Sequence, residues 1–155
     1  MHCHEETRVL PYAPRQLFDL VADVARYPEF LPWCLAARIT RREGNVVYAD
    51  VVVGTRIFRE TFTSKVTLDD GGGGEGSADH PLRIDVEYVK GPMREMENHW
   101  EFRPHPEGCE LHFRVAFAFR SRLLDAVMGR VFTEAVHRMV RAFEARAGAL
   151  HGAAG

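Results

Sequence analysis

The chain has 155 residues, 46% of them hydrophobic, with three cysteines and a formal charge of −2. That length and content suit one domain with a substantial core, here 1–155 with frayed termini. The near-neutral balance argues against a surface that embraces nucleic acid throughout, so no DNA partner is expected, although a local basic face stays open.

No apolar run of signal-peptide length opens the chain, and none approaches the roughly 20 residues that span a bilayer. Cys3, Cys34 and Cys109 are odd in number and widely spaced, a poor disulfide framework. The expectation is a cytoplasmic protein with reduced thiols, at most peripheral on the inner membrane face.

Glu5 to Tyr12 reads as an opening strand, and a helix follows from Pro14, whose missing N–H costs nothing in a first turn. Leu17, Phe18, Val21 and Val24 continue at helical spacing to about Ala25, and Pro28 forbids continuation. Tyr27, Phe30, Leu31 and Trp33 then fall on a second short turn, where large apolar groups either plug a core or line a cavity. Leu35 to Arg42 and Val46 to Gly54 flank Glu43-Gly44-Asn45, a hairpin signal.

Phe58 to Leu68 alternates, with Phe58, Phe62, Val66 and Leu68 on one face and Arg59, Thr61, Thr63, Lys65 and Thr67 on the other. Asp69 to His80 has no periodicity and no large apolar side chain, so a flexible loop is expected over about 69–80. Its glycines make no phosphate cradle, because no Lys-Ser/Thr follows and no helix opens after them. Leu82 to Val89, His99 to Pro104 and Glu110 to Phe119 supply further strands, with Lys90 to Arg94 as a turn. In the last strand Leu111, Phe113, Val115, Phe117 and Phe119 share one face.

Arg122 to about Ala147 reads as a long helix stopped by Gly148, with Leu124, Met128, Val131, Phe132, Ala135, Met139 and Phe143 as its apolar stripe. Strand, helix, roughly six antiparallel strands and one long helix make an α+β fold, since hairpin-length links forbid parallel crossovers. The long helix must then cover the apolar face of the sheet.

The inward-facing inventory includes Phe62, Trp100, Phe117, Met128 and Phe132. These side chains serve equally as core or as the wall of a site for a greasy small molecule. Methionine adds adaptable lining. Glu60 shares the face of Phe58 and Phe62, so its carboxylate is either solvated or paired near a strand end, or is the polar handle of a cavity. Glu60 with a nearby histidine such as His99 is the one acid–base pair on offer.

His2, Cys3 and His4 lack a matching distal pair at zinc-site spacing, so no metal is expected. No Gly-x-Ser-x-Gly elbow is present. Arg130, Arg138 and Arg141 lie on one side of the long helix, diluted by Glu134 and Glu144, and Arg120, Arg122 and Arg146 extend the positive excess toward its ends. Such a face suits anionic lipid head groups or ribosomal RNA, and charge does not choose between them.

Several landmarks occur in a telling order: Tyr27, Pro28, Phe30, Pro32, Trp33 and Cys34; Phe58 to Ser64; Gly91-Pro92 before Trp100 and Phe102; and Phe117, Phe119, Ser121, Leu123 and Leu124. From about Val9 to Leu150 the chain resembles the coenzyme Q-binding and RatA-like proteins of the START (polyketide cyclase/dehydrase, SRPBCC) superfamily. The resemblance implies a helix-grip fold, with a curved antiparallel sheet of about six to seven strands wrapped around the long C-terminal helix. It implies a noncatalytic carrier of a polyprenyl quinone such as ubiquinone, serving cellular respiration, with no cofactor beyond that bound ligand. Tyr27, Phe30, Trp33, Glu60, Phe62, Met93, Trp100, Phe117, Met128 and Phe132 are the expected ligand contacts, the first three as a gate. Met93 stands where the family more often has phenylalanine, at the rim of the pocket. The alternative within the resemblance is a RatA-like protein that binds the large ribosomal subunit through the arginine face. A polyketide cyclase or aromatase is the third.

Overall fold

A computed structural model describes residues 2–54 and 59–152. Seven strands form one antiparallel curved sheet: β1 His2–Leu10, β2 Cys34–Glu43, β3 Val46–Gly54, β4 Arg59–Asp69, β5 Leu82–Lys90, β6 Met93–His105 and β7 Gly108–Phe119. Their order is β1-β7-β6-β5-β4-β3-β2, so β2 to β7 form a meander and β1 closes on its last strand. Helix α1, Pro14–Ala22, and helix α2, Arg122–His151, lie on the inner face, and α2 packs mainly on β1, β7 and α1. Phe58 lies outside the described residues, and so does its expected place at the head of β4.

The elements depart from the sequence expectations in four places. The N-terminus is not frayed from residue 2: His2 to Leu10 pair along β7, with His2 opposite Phe117 and Leu10 opposite Cys109. Helix α1 ends at Ala22, well before Pro28, and Val24–Glu29 forms a 3-10 helix that holds Pro28 inside it. Strand β6 begins at Met93 rather than His99. Helix α2 runs through Gly148 to His151, where Gly152 at φ 78° terminates it.

The apolar stripe of α2 also shifts. Its buried residues are Phe132, Val136, Val140 and Ala147, whereas Val131 is 46% exposed. The buried row steps by four residues from Phe132 to Val140 and by seven to Ala147, with side chains leaning toward the N-terminal turn. Above this row the core is aromatic: Trp100 stacks on Phe113 at 5.1 Å and meets Phe143 edge-on at 5.6 Å, while Phe18 meets Phe102 at 5.7 Å. Such contacts add about 0.5–1.5 kcal/mol each beyond area burial.

A polar seam joins β1 to α2. His2 donates from Nε2 to the Asp125 carbonyl at 3.0 Å, and Arg8 bridges Glu6 at 2.5 Å and Glu144 at 2.6 Å. Asp125 in turn accepts the Phe119 N–H at 2.9 Å, which, with the nearby His2, holds its carboxyl below the usual range.

Candidate functional site

Four chain segments meet at one end of the sheet. Gly91 and Pro92 join β5 to β6, and Gly91, at φ +148°, packs so closely that a Cβ there would stand 2.7 Å from the Phe62 Cβ. The Pro92 carbonyl accepts the Arg120 N–H at 3.2 Å, and the Met93 carbonyl accepts Arg120 Nε at 3.2 Å. The start of β4, the β5–β6 turn, the end of β7 and the start of α2 therefore share this end.

Here stand Glu60, half-buried opposite Val53, and Phe62, half-buried opposite Val51. Phe117 meets Phe132 edge-on at 5.0 Å and Phe119 at 5.4 Å, and Met128 is half-buried on α2. Met93 is not at a rim. It is 6% exposed and its N–H donates to the Tyr88 hydroxyl at 3.1 Å, so both the side chain and the backbone are tied into the structure.

The other expected contacts gather elsewhere. Tyr27, Phe30 and Trp100 surround Phe143 on the C-terminal half of α2, at 5.6, 5.2 and 5.6 Å. The Tyr27 hydroxyl donates to the Val21 carbonyl, and burial pushes its pKa far above the ordinary tyrosine value. Trp33 is half-buried before β2, and its carbonyl accepts the Gly54 N–H at 3.0 Å. The expected contacts thus divide into an end cluster under the start of α2 and a packed aromatic cluster of Tyr27, Phe30 and Trp100 under its later turns, with Trp33 beside β3 in neither.

The space between the sheet and α2 is largely filled by side chains. One hollow of about 170 Å³ is a surface cleft between α1, the 3-10 helix and the end of α2, lined by Asp19, Asp23, Phe30 and Arg146 among others. A second, of about 20 Å³, lies in the core beside Leu17, Trp100 and Phe143. Both are smaller than the ≈300–1,000 Å³ of ordinary ligand pockets. The physical reason is interdigitation: the rings of Trp100, Phe113, Phe117, Phe132 and Phe143 occupy the space that spacing alone left open.

Sequence reasoning missed Asn98. It shares the inner face with Trp100, two residues on, and its Oδ1 is buried without a hydrogen-bond partner among the described residues. Starting β6 at His99 left Asn98 outside the strand; its parity with Trp100 was the available signal. His99 is on the opposite face, bonded to Asp85 at 2.6 Å, so it cannot serve as the acid–base partner of Glu60.

The outer face of α2 is divided. Leu123, Val127 and Val131, four residues apart, are 77%, 47% and 46% exposed over its first turns. Arg130, Arg138 and Arg141 are also exposed, and the last two share the Glu134 carboxylate at 3.3 and 3.6 Å. No helix among the described residues is long and apolar enough to cross a membrane.

A curved sheet gripping a long C-terminal helix, with an aromatic inner face, defines a helix-grip protein of the START type. The model of the family described as polyketide cyclase / dehydrase and lipid transport matches residues 10–144, and the chain belongs to this family. It is 39% identical to the ribosome association toxin RatA of Rickettsia prowazekii, over 92% of this chain and 94% of that one. It is 30% identical to the mitochondrial coenzyme Q-binding protein COQ10 homolog B of Xenopus laevis, over 96% of this chain and 59% of that one. The solution structure of the 18 kDa protein CC1736 from Caulobacter crescentus superimposes with a TM-score of 0.75 at 39% identity, covering 99% of this chain and 100% of that one.

Proposed function

We propose that the chain binds a hydrophobic ligand without transforming it, and that the ligand is a polyprenyl quinone of the ubiquinone type, held for respiratory electron transport. The observation that carries this is the end cluster. Phe62 and Phe117 are half-buried on the inner face, beneath a helix whose first turns leave Leu123, Val127 and Val131 in solvent. Binding proceeds by lifting the start of α2, so that apolar tail surface replaces water at roughly 25 cal/mol per Å². The protein works in the cytoplasm and meets the inner membrane face peripherally to collect the ligand. Glu60, at the mouth of this cluster, is available to the polar head. Tyr27 and Phe30 pack on Phe143 in the far half of the helix, where they steady α2 as its start moves, and Trp33 stands before β2.

The test is native mass spectrometry with organic extraction of protein purified gently from its own cells. A stoichiometric quinone is the expected result; protein free of extractable lipid that also fails to bind added decylubiquinone overturns the reading.

A second reading, association with the large ribosomal subunit, is favoured by the exposed Arg130, Arg138 and Arg141 and by the names of the RatA relatives. Replacing all three arginines with glutamate abolishes cosedimentation with ribosomal subunits on this reading. A quinone carrier keeps its ligand after the same change.

A further inference from the structure

One row of the inner face runs Val47, Val66, Val86, Asn98, Val115 and His4 across paired strands. Four of these side chains are valine, and His4 reaches Glu6 at 2.8 Å. Asn98 is neither apolar nor satisfied, since its buried Oδ1 has no partner among the described residues. Folding alone disfavours this arrangement: an amide oxygen stripped of water needs a replacement bond, and a leucine would pack the valine row at no such cost.

Along β6 the amide is flanked on its own face by Trp100 on one side and Met96 on the other, and Met96 pairs across to Phe117. A flat ring entering beneath the start of α2 would therefore lie among Phe117, Met96 and Trp100 with the Asn98 amide in reach. We propose that Asn98 is the contact for the oxygen-bearing head group of the hydrophobic ligand. This rests on the ligand-binding reading above. An amide offers an oxygen to a hydroxyl or, turned over, an NH2 to a carbonyl, so a quinone and its quinol both find a complement. Glu60, as a carboxylate, accepts only, and serves one of the two forms.

The proposal predicts a separation of stability from affinity. Asn98→Leu removes the orphaned acceptor, so the urea midpoint rises or stays unchanged. Titration by tryptophan quenching with decylubiquinone should show about tenfold weaker binding, the size of one lost hydrogen bond. Decylbenzene, with the same tail and no oxygen, should bind wild type and Asn98→Leu within about twofold of each other. Asn98→Thr, which keeps a polar group and favours a strand, should lose less than leucine.

Equal loss for both probes, or none for either, overturns the assignment. So does a lower urea midpoint in Asn98→Leu, because the amide would then belong to the protein's own bonding. If wild type binds decylbenzene but not decylubiquinone, Asn98 is likewise not a head-group contact. Wild type that binds neither probe removes the ligand-binding reading itself; wild type that binds both, with unchanged decylubiquinone affinity in the leucine variant, removes only Asn98.

Discussion

A methyl group at position 129 sets two effects against each other. Gly129 lies in α2 against the His2 ring, and a Cβ built there would stand 2.5 Å from His2 Cε1 and 3.1 Å from Nδ1. Glycine inside a helix costs about 0.8–1.0 kcal/mol relative to alanine, so Gly129→Ala would stabilise the helix in isolation. In the folded protein the imidazole must move, giving up its bond to the Asp125 carbonyl at 3.0 Å and its contacts with Phe117 at 5.4 Å and Phe132 at 6.1 Å. The hydrogen bond contributes about 0.5–1.5 kcal/mol and the ring packing a similar amount. The loss of about 2 kcal/mol exceeds the gain of about 1 kcal/mol. Gly129→Ala should therefore lower Tm by about 2–4 °C. In a His2→Ala background the obstacle is gone, and the same change should raise Tm by a similar amount. Urea unfolding of the four proteins should give a coupling of about 2 kcal/mol. Stabilisation by Gly129→Ala in both backgrounds would refute the packing of α2 on β1.

Trp100→Ala should cost about 3–5 kcal/mol by urea unfolding, because it empties a site shared with Phe102, Phe113 and Phe143. Phe117→Ala, at a half-buried position, should cost less stability while weakening decylubiquinone binding. Burial pushes the Cys109 thiol up to about 12 and Cys34 up to about 11, while Cys3 is exposed, so iodoacetamide at pH 7.5 should modify Cys3 alone, as read by peptide mass spectrometry. Asp125 is held below its unfolded value of about 3.9, so its stabilisation is present above that pH and lost as pH falls through the folded value. Asp125→Asn should flatten the acid side of the stability curve, and an unchanged slope below pH 4 would count against the Phe119 and His2 contacts.

The order of elements could be read because β3, β4, β5 and β7 keep a period of two and α2 a period near 3.6. Strand β6 could not be read in full because a bulge between Met93 and Glu95 changes its parity: Met93 and Met96 are separated by an odd step, and the pattern recovers only near Trp100. The first residues of β1, ahead of the strand expected from Glu5, were concealed differently. The inner face of β1 carries His2, His4, Glu6 and Arg8, which in sequence look like a polar terminus and in space are satisfied by α2 and by one another. For the candidate site, residue types were legible and their grouping was not. Phe143 draws Tyr27, Phe30 and Trp100 into packing that depends on the shifted row of α2, which no spacing within β6 or the entry turn could reveal.

The closure of β1 on β7 has a consequence for synthesis. The first strand of the sheet in chain order pairs with the last, His2 opposite Phe117 and Leu10 opposite Cys109, and its polar seam needs Asp125 and Glu144 from the helix that follows. The meander from β2 to β7 can form by neighbour pairing as it emerges, but the sheet keeps an open edge at β7 until β1 docks. Growing chains therefore pass through a state whose free edges are β2 and β7, until docking makes β1 the edge in place of β7. Its exposure to aggregation is set by how quickly the two ends find each other after translation.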